Sequence, residues 1–242
     1  MLELKNISKS YNGTAALKDV NLSLPLGQIV GLFGENGAGK TTLMKSILNF
    51  HSFKGEVLLD GEPVTYKNIE RISFATSEHS FFPNLSPDAH RDFYKEHFPK
   101  FSDKKYKVLM DFFQLPYRKS VGSFSTGQKN QFEVIMALAQ GSDYILMDEP
   151  FAGNDVFNRE DFYKVLLGVL EPGQTVLLST HLIEEVSDFI GRAVLIHHGE
   201  IIGDMTMDEL EESGQSLMDY IKATYNYRAD RVLKALDELE EE

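Results

Sequence analysis

The stretch GENGAGKTT, residues 34–42, restricts what this chain can fold into more than any other part of it. It follows the short apolar run QIVGLF (28–33) and puts three glycines, a lysine and two threonines in nine positions. Glycines let backbone N–H groups turn inward into an anion-binding nest, and a helix that follows points its positive end at the same place. Gly34, Gly39, Lys40 and Thr41 satisfy G-x-x-x-x-G-K-[ST], the pattern that cradles nucleotide phosphates. A chain carrying it is expected to build strand, loop and helix in that order, with a phosphate at the junction. Lys40 is expected to reach the β- and γ-phosphates and the Thr41 hydroxyl to hold Mg²⁺. A chance match in a chain this long is on the order of one in a hundred, so the downstream residues decide.

Three downstream pieces bear on that nucleotide. YILMDE (144–149) has four apolar residues and then two carboxylates, the pattern of a buried strand with charge at its tip. Asp148 is expected beside Thr41, binding Mg²⁺ directly or through water. Glu149 is then placed to polarise a water for in-line attack on the γ-phosphate. SFSTGQ (123–128) opens a helix, and Ser125 with Gln128 fits a capping box. The same free N–H groups and hydroxyls also suit a phosphate, and local sequence leaves both readings open. His181 follows TVLLST at a helix start, where it either caps the helix or orients the water near a γ-phosphate. The other histidines lack ligand spacing. His197 and His198, on one strand, are expected to face opposite ways, so no transition-metal site is expected.

The remaining pattern frames these pieces. Leu2, Leu4 and Ile7, then Val20, Leu22 and Leu24, read as strands, and GEVLLDGEPV (55–64) as a strand entering an Asp-Gly turn. From about 66 to 122, aromatics and apolar residues recur at helical spacing (Phe93, Tyr94, Phe98, Tyr106, Leu109, Met110, Phe112, Phe113), broken at Pro83, Pro87, Pro99 and Pro116. That stretch is expected to be a mostly helical lobe whose aromatic stripe is core. Beyond it, helices near 127–139, 158–169 and 182–189 alternate with strands at 144–150 and 175–180, and 192–202 reads as two strands around His-Gly. Alternation of this kind gives an α/β fold with a mostly parallel sheet, N-terminal antiparallel strands and the helical lobe inserted.

Composition narrows the function classes. A net charge of −13 opposes a nucleic-acid binder, which needs a basic face. No apolar run of 18 residues exists, no signal-peptide core precedes the first strand, and cysteine is absent, which fits a reducing cytosol. The acidic runs DELEE (208–212) and LDELEEE (236–242) read as solvated faces.

Taken together and in this order, these residues resemble the nucleotide-binding subunit of ABC transporters, a P-loop NTPase, over nearly the whole chain. GENGAGKTT matches the family's Walker A, so Glu35, Asn36, Gly37, Ala38 and Thr42 join Gly34, Gly39, Lys40 and Thr41 around ATP. YILMDE matches Walker B with its catalytic glutamate, and SFSTGQ is similar to the signature Leu-Ser-Gly-Gly-Gln. AGND (152–155) resembles the following loop, bringing in Asp155, and His181 the switch histidine. Tyr11 stands where the family stacks an aromatic ring on adenine. The resemblance implies two subunits, identical or different, head to tail, each ATP lying between one subunit's Lys40 and the other's Ser125, Gly127 and Gln128. It also implies a cytoplasmic ATPase held at the inner face of the cell membrane by separate transmembrane permease subunits. The ATPase domain is expected over 1–222, with the lobe at about 66–140, and an acidic helix or tail over 223–242. The alternative is an ABC-type ATPase of a non-transport assembly complex, for example in iron–sulfur biogenesis.

The sequence departs from the family pattern in three places. Phe124 and Thr126 replace the signature's Leu and first Gly, and Asn154 replaces a Leu. Ser77, followed by Glu78, stands where the family carries a glutamine that touches Mg²⁺ and the permease. YKEHFPKFSDKKY (94–106) resembles exporter-type subunits, including those linked to antimicrobial-peptide export or immunity in Gram-positive bacteria.

Overall fold

The computed structural model describes residues 1–150 and 156–226, with side chains for all of these except 156–162. Asn154, Asp155 and the acidic end from 227 onward lie outside the described residues.

The chain opens with a hairpin of β1 (Leu2–Tyr11) and β2 (Thr14–Leu24). Leu2 pairs with Leu24, Leu4 with Leu22 and Ile7 with Val20, and all six are buried: alternation sends the others to one face, and a register shift at Asn6 (φ 54°) returns Ile7 to it. Next come β3 (Ile29–Phe33), the glycine loop and α1 (Lys40–Ile47). After α1, β4 (Lys54–Leu59) returns to pair antiparallel with β1 and turns through Asp60 (φ 54°) and Gly61 (φ 83°) into β5 (Glu62–Pro63). These strands form a four-stranded sheet in the order β2-β1-β4-β5.

The lobe segment begins with a strand. Ile72–Thr76 is β6, parallel to the later strand at 144–148 with Thr76 opposite Asp148. Five residues without clear alternation carry too little periodicity to stand out from a helical context. Beyond it the segment is helical: α2 (Pro87–His97), α3 (Asp103–Phe112) and α4 (Thr126–Ala139). Pro87 opens a helix, standing just after the N-cap Ser86, whose hydroxyl accepts the Ala89 N–H. Tyr106, Leu109 and Met110 are buried, while Phe93 and Phe112 remain 41% exposed.

The second half supplies β7 (Tyr144–Asp148), α5 (Val156–Val169), β8 (Thr175–Ser179), the short α6 (Ile183–Val186), β9 (Arg192–His197), β10 (Glu200–Thr206), α7 (Met207–Ser213) and α8 (Leu217–Thr224). The central sheet runs β10-β9-β3-β8-β7-β6, parallel except for β10 at its edge. His198 leaves the strand with φ 48°, forming a turn with Gly199. The rings of His197 and His198 therefore lie 3.9 Å apart instead of on opposite faces.

Alternation along the central strands separates two cores. Tyr144 and Leu146 of β7 face a cluster with Val30, Leu32, Leu43 and Ile47, under the N-terminal sheet and α1. Ile145 and Met147 face Tyr106, Leu109, Phe132 and Ile135 of α3 and α4. The glycine loop, the ends of β7 and β8 and the start of α1 meet at the carboxyl edge of the parallel strands, where α/β sheets place their ligands.

Candidate functional site

The glycine loop takes a conformation that side chains would prevent. A Cβ on Gly34 would lie 2.5 Å from the Ile196 carbonyl oxygen, and Gly39 has φ 115° with the Ala16 carbonyl 2.7 Å from where its Cβ would be. These positions permit only glycine. The loop ends in α1, whose first residue is Lys40. Its ammonium turns back to donate to the Gly34 carbonyl at 2.7 Å and the Glu35 carbonyl at 3.2 Å, and it is only 7% exposed.

The carboxylates come from the other side. Asp148, at the tip of β7 and 3% exposed, accepts the Thr41 hydroxyl on Oδ2 at 2.6 Å and the Ser179 hydroxyl on Oδ1 at 2.6 Å. Pairing of β7 with β8 sets Ser179 opposite Asp148. Glu149 then leaves the strand with φ 48°, a left-handed conformation that is rare for a non-glycine residue and typical of functional sites. Its N–H donates to both the carbonyl and the hydroxyl of Ser179, at 3.1 and 3.0 Å, which holds the turn. This bend aims the Glu149 side chain between Lys40, 3.9 Å away, and His181. Its Oε2 lies 2.9 Å from His181 Nδ1, within hydrogen-bond distance. Its Oε1 is buried with no hydrogen-bond partner.

Lys40, Thr41, Thr42, Asn36, Gly37, Gly39, Asp148 and Glu149 line one cavity, with Ala16 at its side. His181 is 65% exposed and does not cap α6, whose N-cap is Leu182. The oxygen donors Thr41 and Asp148, with the orphaned Glu149 oxygen nearby, suit a hard cation such as Mg²⁺.

Ser125, Gly127 and Gln128 are not among that cavity's lining residues. Ser125 caps α4: its hydroxyl accepts the Gln128 N–H at 3.2 Å, and Gln128 Oε1 accepts the Ser125 N–H at 3.0 Å. The capping box forms, and Ser125 stays exposed at the helix's positive end. Phe124 is buried against Phe132, their ring centroids 6.3 Å apart, and anchors the turn.

Tyr11 stands outside the cavity and 45% exposed. Its hydroxyl lies 3.1 Å from His51 Nδ1, and His51 Nε2 lies 2.9 Å from the Ser46 hydroxyl on α1. The Lys9 ammonium sits over one Tyr11 ring face, 4.8 Å from its centroid. Burial, with Lys9 and Lys45 close by, pushes the His51 imidazole below its ordinary value. Ser77 is exposed beside a small cleft that also touches Asn130, Glu133, Asp148 and Glu149. Glu78 gives both oxygens to the Lys45 ammonium of α1, at 2.6 and 2.7 Å.

Two residues escaped the sequence reading. Ser179 was visible only as the next-to-last residue of TVLLST, and its role depends on the β7–β8 register. Glu133 looks like an ordinary helix glutamate in sequence, yet it is 3% exposed.

Comparison with known proteins gives a consistent picture. A family model described as "ABC transporter" matches residues 17–152, more than half of the chain. The ABC transporter ATP-binding protein YtrB of Bacillus subtilis is 29% identical, covering 95% of this chain and 78% of its own. The lipopolysaccharide export system ATP-binding protein LptB of Haemophilus influenzae is 30% identical, covering 91% of this chain and 97% of its own. A solved structure of an ATP-binding subunit of an ABC transporter superposes with a TM-score of 0.82 at 22% identity, over 93% of this chain and 99% of that one.

Proposed function

The chain belongs to the ABC transporter family, as an ATP-binding and ATP-hydrolysing cassette, and on that premise we propose the roles of its residues and partners. Gly34 to Thr42 hold the triphosphate of ATP, and Tyr11 stacks on adenine with the ring face that Lys9 leaves open. Lys40 exchanges its two loop carbonyls for the β- and γ-phosphates, which balance its charge better than neutral acceptors do. Thr41 and Asp148 hold Mg²⁺, which neutralises charge on the phosphates when bound. Glu149 takes the proton of the attacking water, and its orphaned Oε1 is the free acceptor for that task. His181, already bonded to Glu149, keeps that carboxylate aimed and reaches toward the γ-phosphate.

One observation carries the composite site: the Ser125-capped start of α4 is exposed and absent from the cavity that holds Lys40. An exposed helix N-terminus whose cap hydroxyl still has its own proton to donate suits a phosphate supplied from elsewhere, and a second subunit supplies it. Closure on ATP and opening after hydrolysis then drive a separate membrane permease. That partner role is supported by the family and by a chain in which no described helix is long and apolar enough to cross a membrane. Exposed Phe82, Leu85 and Phe93, next to the Ser77–Ser80 segment, offer the permease an apolar face. The 94–106 resemblance and the export role in LptB's name support an exporter. Nothing in the comparisons favours the non-transport alternative.

Hydrolysis measured against protein concentration tests the composite site. Below the dimer's dissociation constant the rate should rise more steeply than linearly. A linear dependence throughout would place the whole site in one chain. Co-purification of the tagged chain from membranes should bring down a multi-span protein, and only soluble partners would contradict the transport role.

A further inference from the structure

The buried carboxylate of Glu133 takes no part in the chemistry described above, yet it lies between its two halves. Glu133 is on α4, eight residues after the Ser125 cap, which is about 12 Å along the helix. Its Oε1 accepts the Ser80 N–H at 2.7 Å and, more loosely, the Ser80 hydroxyl at 3.4 Å. The Thr76 backbone lies close enough to this carboxylate to lower its pKa. Thr76 ends β6 directly opposite Asp148, and Glu133 lines the same cleft as Thr76, Ser77 and Asp148. Among the described residues no cation lies against it. Burial outweighs these hydrogen bonds and pushes its carboxyl up to about 7. An acid retained in so dry a place is costly unless its geometry is needed.

The middle of the same short segment is tied elsewhere. Glu78 holds Lys45 on α1, the helix that begins with Lys40. Ser77 stands just before these two ties, at the cleft that touches Asp148, Glu149 and Glu133. Residues 76–80 are thus attached to the phosphate-binding helix on one side and to α4 on the other.

We propose that Glu133 is a positioning residue that transmits the state of the chain's own ATP site, through residues 76–80, to α4 and its Ser125-capped end. This inference rests on the composite-site reading above. Movement of the segment when ATP and metal arrive is passed by a single buried carboxylate to the helix that faces the second subunit. Glu133 touches no reacting atom. Its loss uncouples binding from closure and leaves the phosphate nest as it is.

Full-length protein carrying Glu133→Ala or Glu133→Gln tests this with three readouts. These are the affinity of the monomer for a fluorescent ATP analogue, kcat for ATP, and the ATP-driven dimer fraction in a Glu149→Gln parent. For Glu133→Ala the affinity should stay within about twofold while kcat falls about tenfold and the dimer fraction drops, a coupling loss of ordinary size. Amide hydrogen exchange in residues 76–82 should quicken as well. Glutamine keeps one acceptor oxygen, so Glu133→Gln should shift kcat and dimer fraction the same way by about two- to threefold. Affinity falling as far as kcat would show a merely structural role and overturn the proposal. Unchanged kcat and dimer fraction in Glu133→Ala would overturn it too. If Glu133→Ala does not fold, Glu133→Gln decides, and equality with wild type in all three readouts refutes the coupling. A Glu149→Gln parent that forms no dimer with ATP would overturn the composite site and this inference together. A dimer there, unaffected by Glu133 substitution, would overturn this inference alone.

Discussion

Replacing Ser179 with alanine should separate metal positioning from nucleotide binding. The Ser179 hydroxyl donates to Asp148 Oδ1 at 2.6 Å and accepts the Glu149 N–H at 3.0 Å, and the residue is fully buried. Glu149 N–H keeps the Ser179 carbonyl at 3.1 Å, so its turn should survive. Asp148 Oδ1 loses its charge-assisted donor on a residue only 3% exposed. Hydrogen bonds to charged groups contribute about 1.5–3 kcal/mol, so about 2 kcal/mol is a reasonable cost. In a domain of this size that lowers the melting temperature by about 4–8 °C. Residues that orient a metal ligand typically change metal affinity or activity by about 10–100-fold. The assay is ATPase rate titrated with Mg²⁺, beside binding of a fluorescent ATP analogue without metal. Half-saturating Mg²⁺ should rise by at least about tenfold, with metal-free nucleotide binding within about twofold. An unchanged Mg²⁺ requirement together with an unchanged melting temperature would refute the claim that Ser179 fixes Asp148.

Lys40→Ala should abolish tight nucleotide binding, whereas Ser125→Arg should leave monomer binding intact and prevent ATP-driven dimerisation; equal loss of monomer binding in both would remove the two-subunit site. Ser77→Ala should change turnover by less than about tenfold, since this exposed serine is too short for more than a water-mediated metal contact. Glu78→Ala should act through Lys45 and loosen the segment rather than the metal, so a raised Mg²⁺ requirement in Glu78→Ala would make Glu78 a ligand after all. His90 is 2% exposed, accepts the Phe82 N–H on Nε2 at 3.2 Å, and is held below its ordinary pKa by burial. The folded state therefore binds its proton less readily than the unfolded state, and stability is lost as pH falls below about 6.5. The melting temperature should drop between about pH 7 and pH 5, and His90→Gln should flatten that slope; an identical slope in the variant would clear His90 of the effect.

The parts of the site visible in sequence are those whose residue type is forced by local geometry. Gly34 and Gly39 occupy positions where a Cβ would meet a carbonyl oxygen, and Lys40 and Thr41 follow at fixed offsets on one helix start. The charged tip of β7 was visible because four apolar residues precede Asp148. The N-terminal hairpin showed itself through strict alternation at Val20, Leu22 and Leu24. What stayed hidden depends on partners distant in sequence. Ser179 acquires its role from its place across the sheet from Asp148, and Glu133 from a segment more than 50 residues earlier. The strand β6 was missed because its five residues lack a pattern of their own and are fixed by pairing with β7. His198 was misread because a left-handed turn residue ends the alternation that the sequence suggested. The Ser125 capping box was legible in full, since a helix N-terminus is a local motif.

The central claim is that Glu149 is the base of a hydrolytic site completed by a second subunit, and Glu149→Gln measures it most directly. Glutamine keeps the size and the contact to His181 but cannot take a proton from water. The variant should bind ATP as wild type does, hydrolyse it about 10²–10⁴-fold more slowly, and accumulate as an ATP-bound dimer on size exclusion. Near-normal turnover in Glu149→Gln would contradict the account and move the base elsewhere.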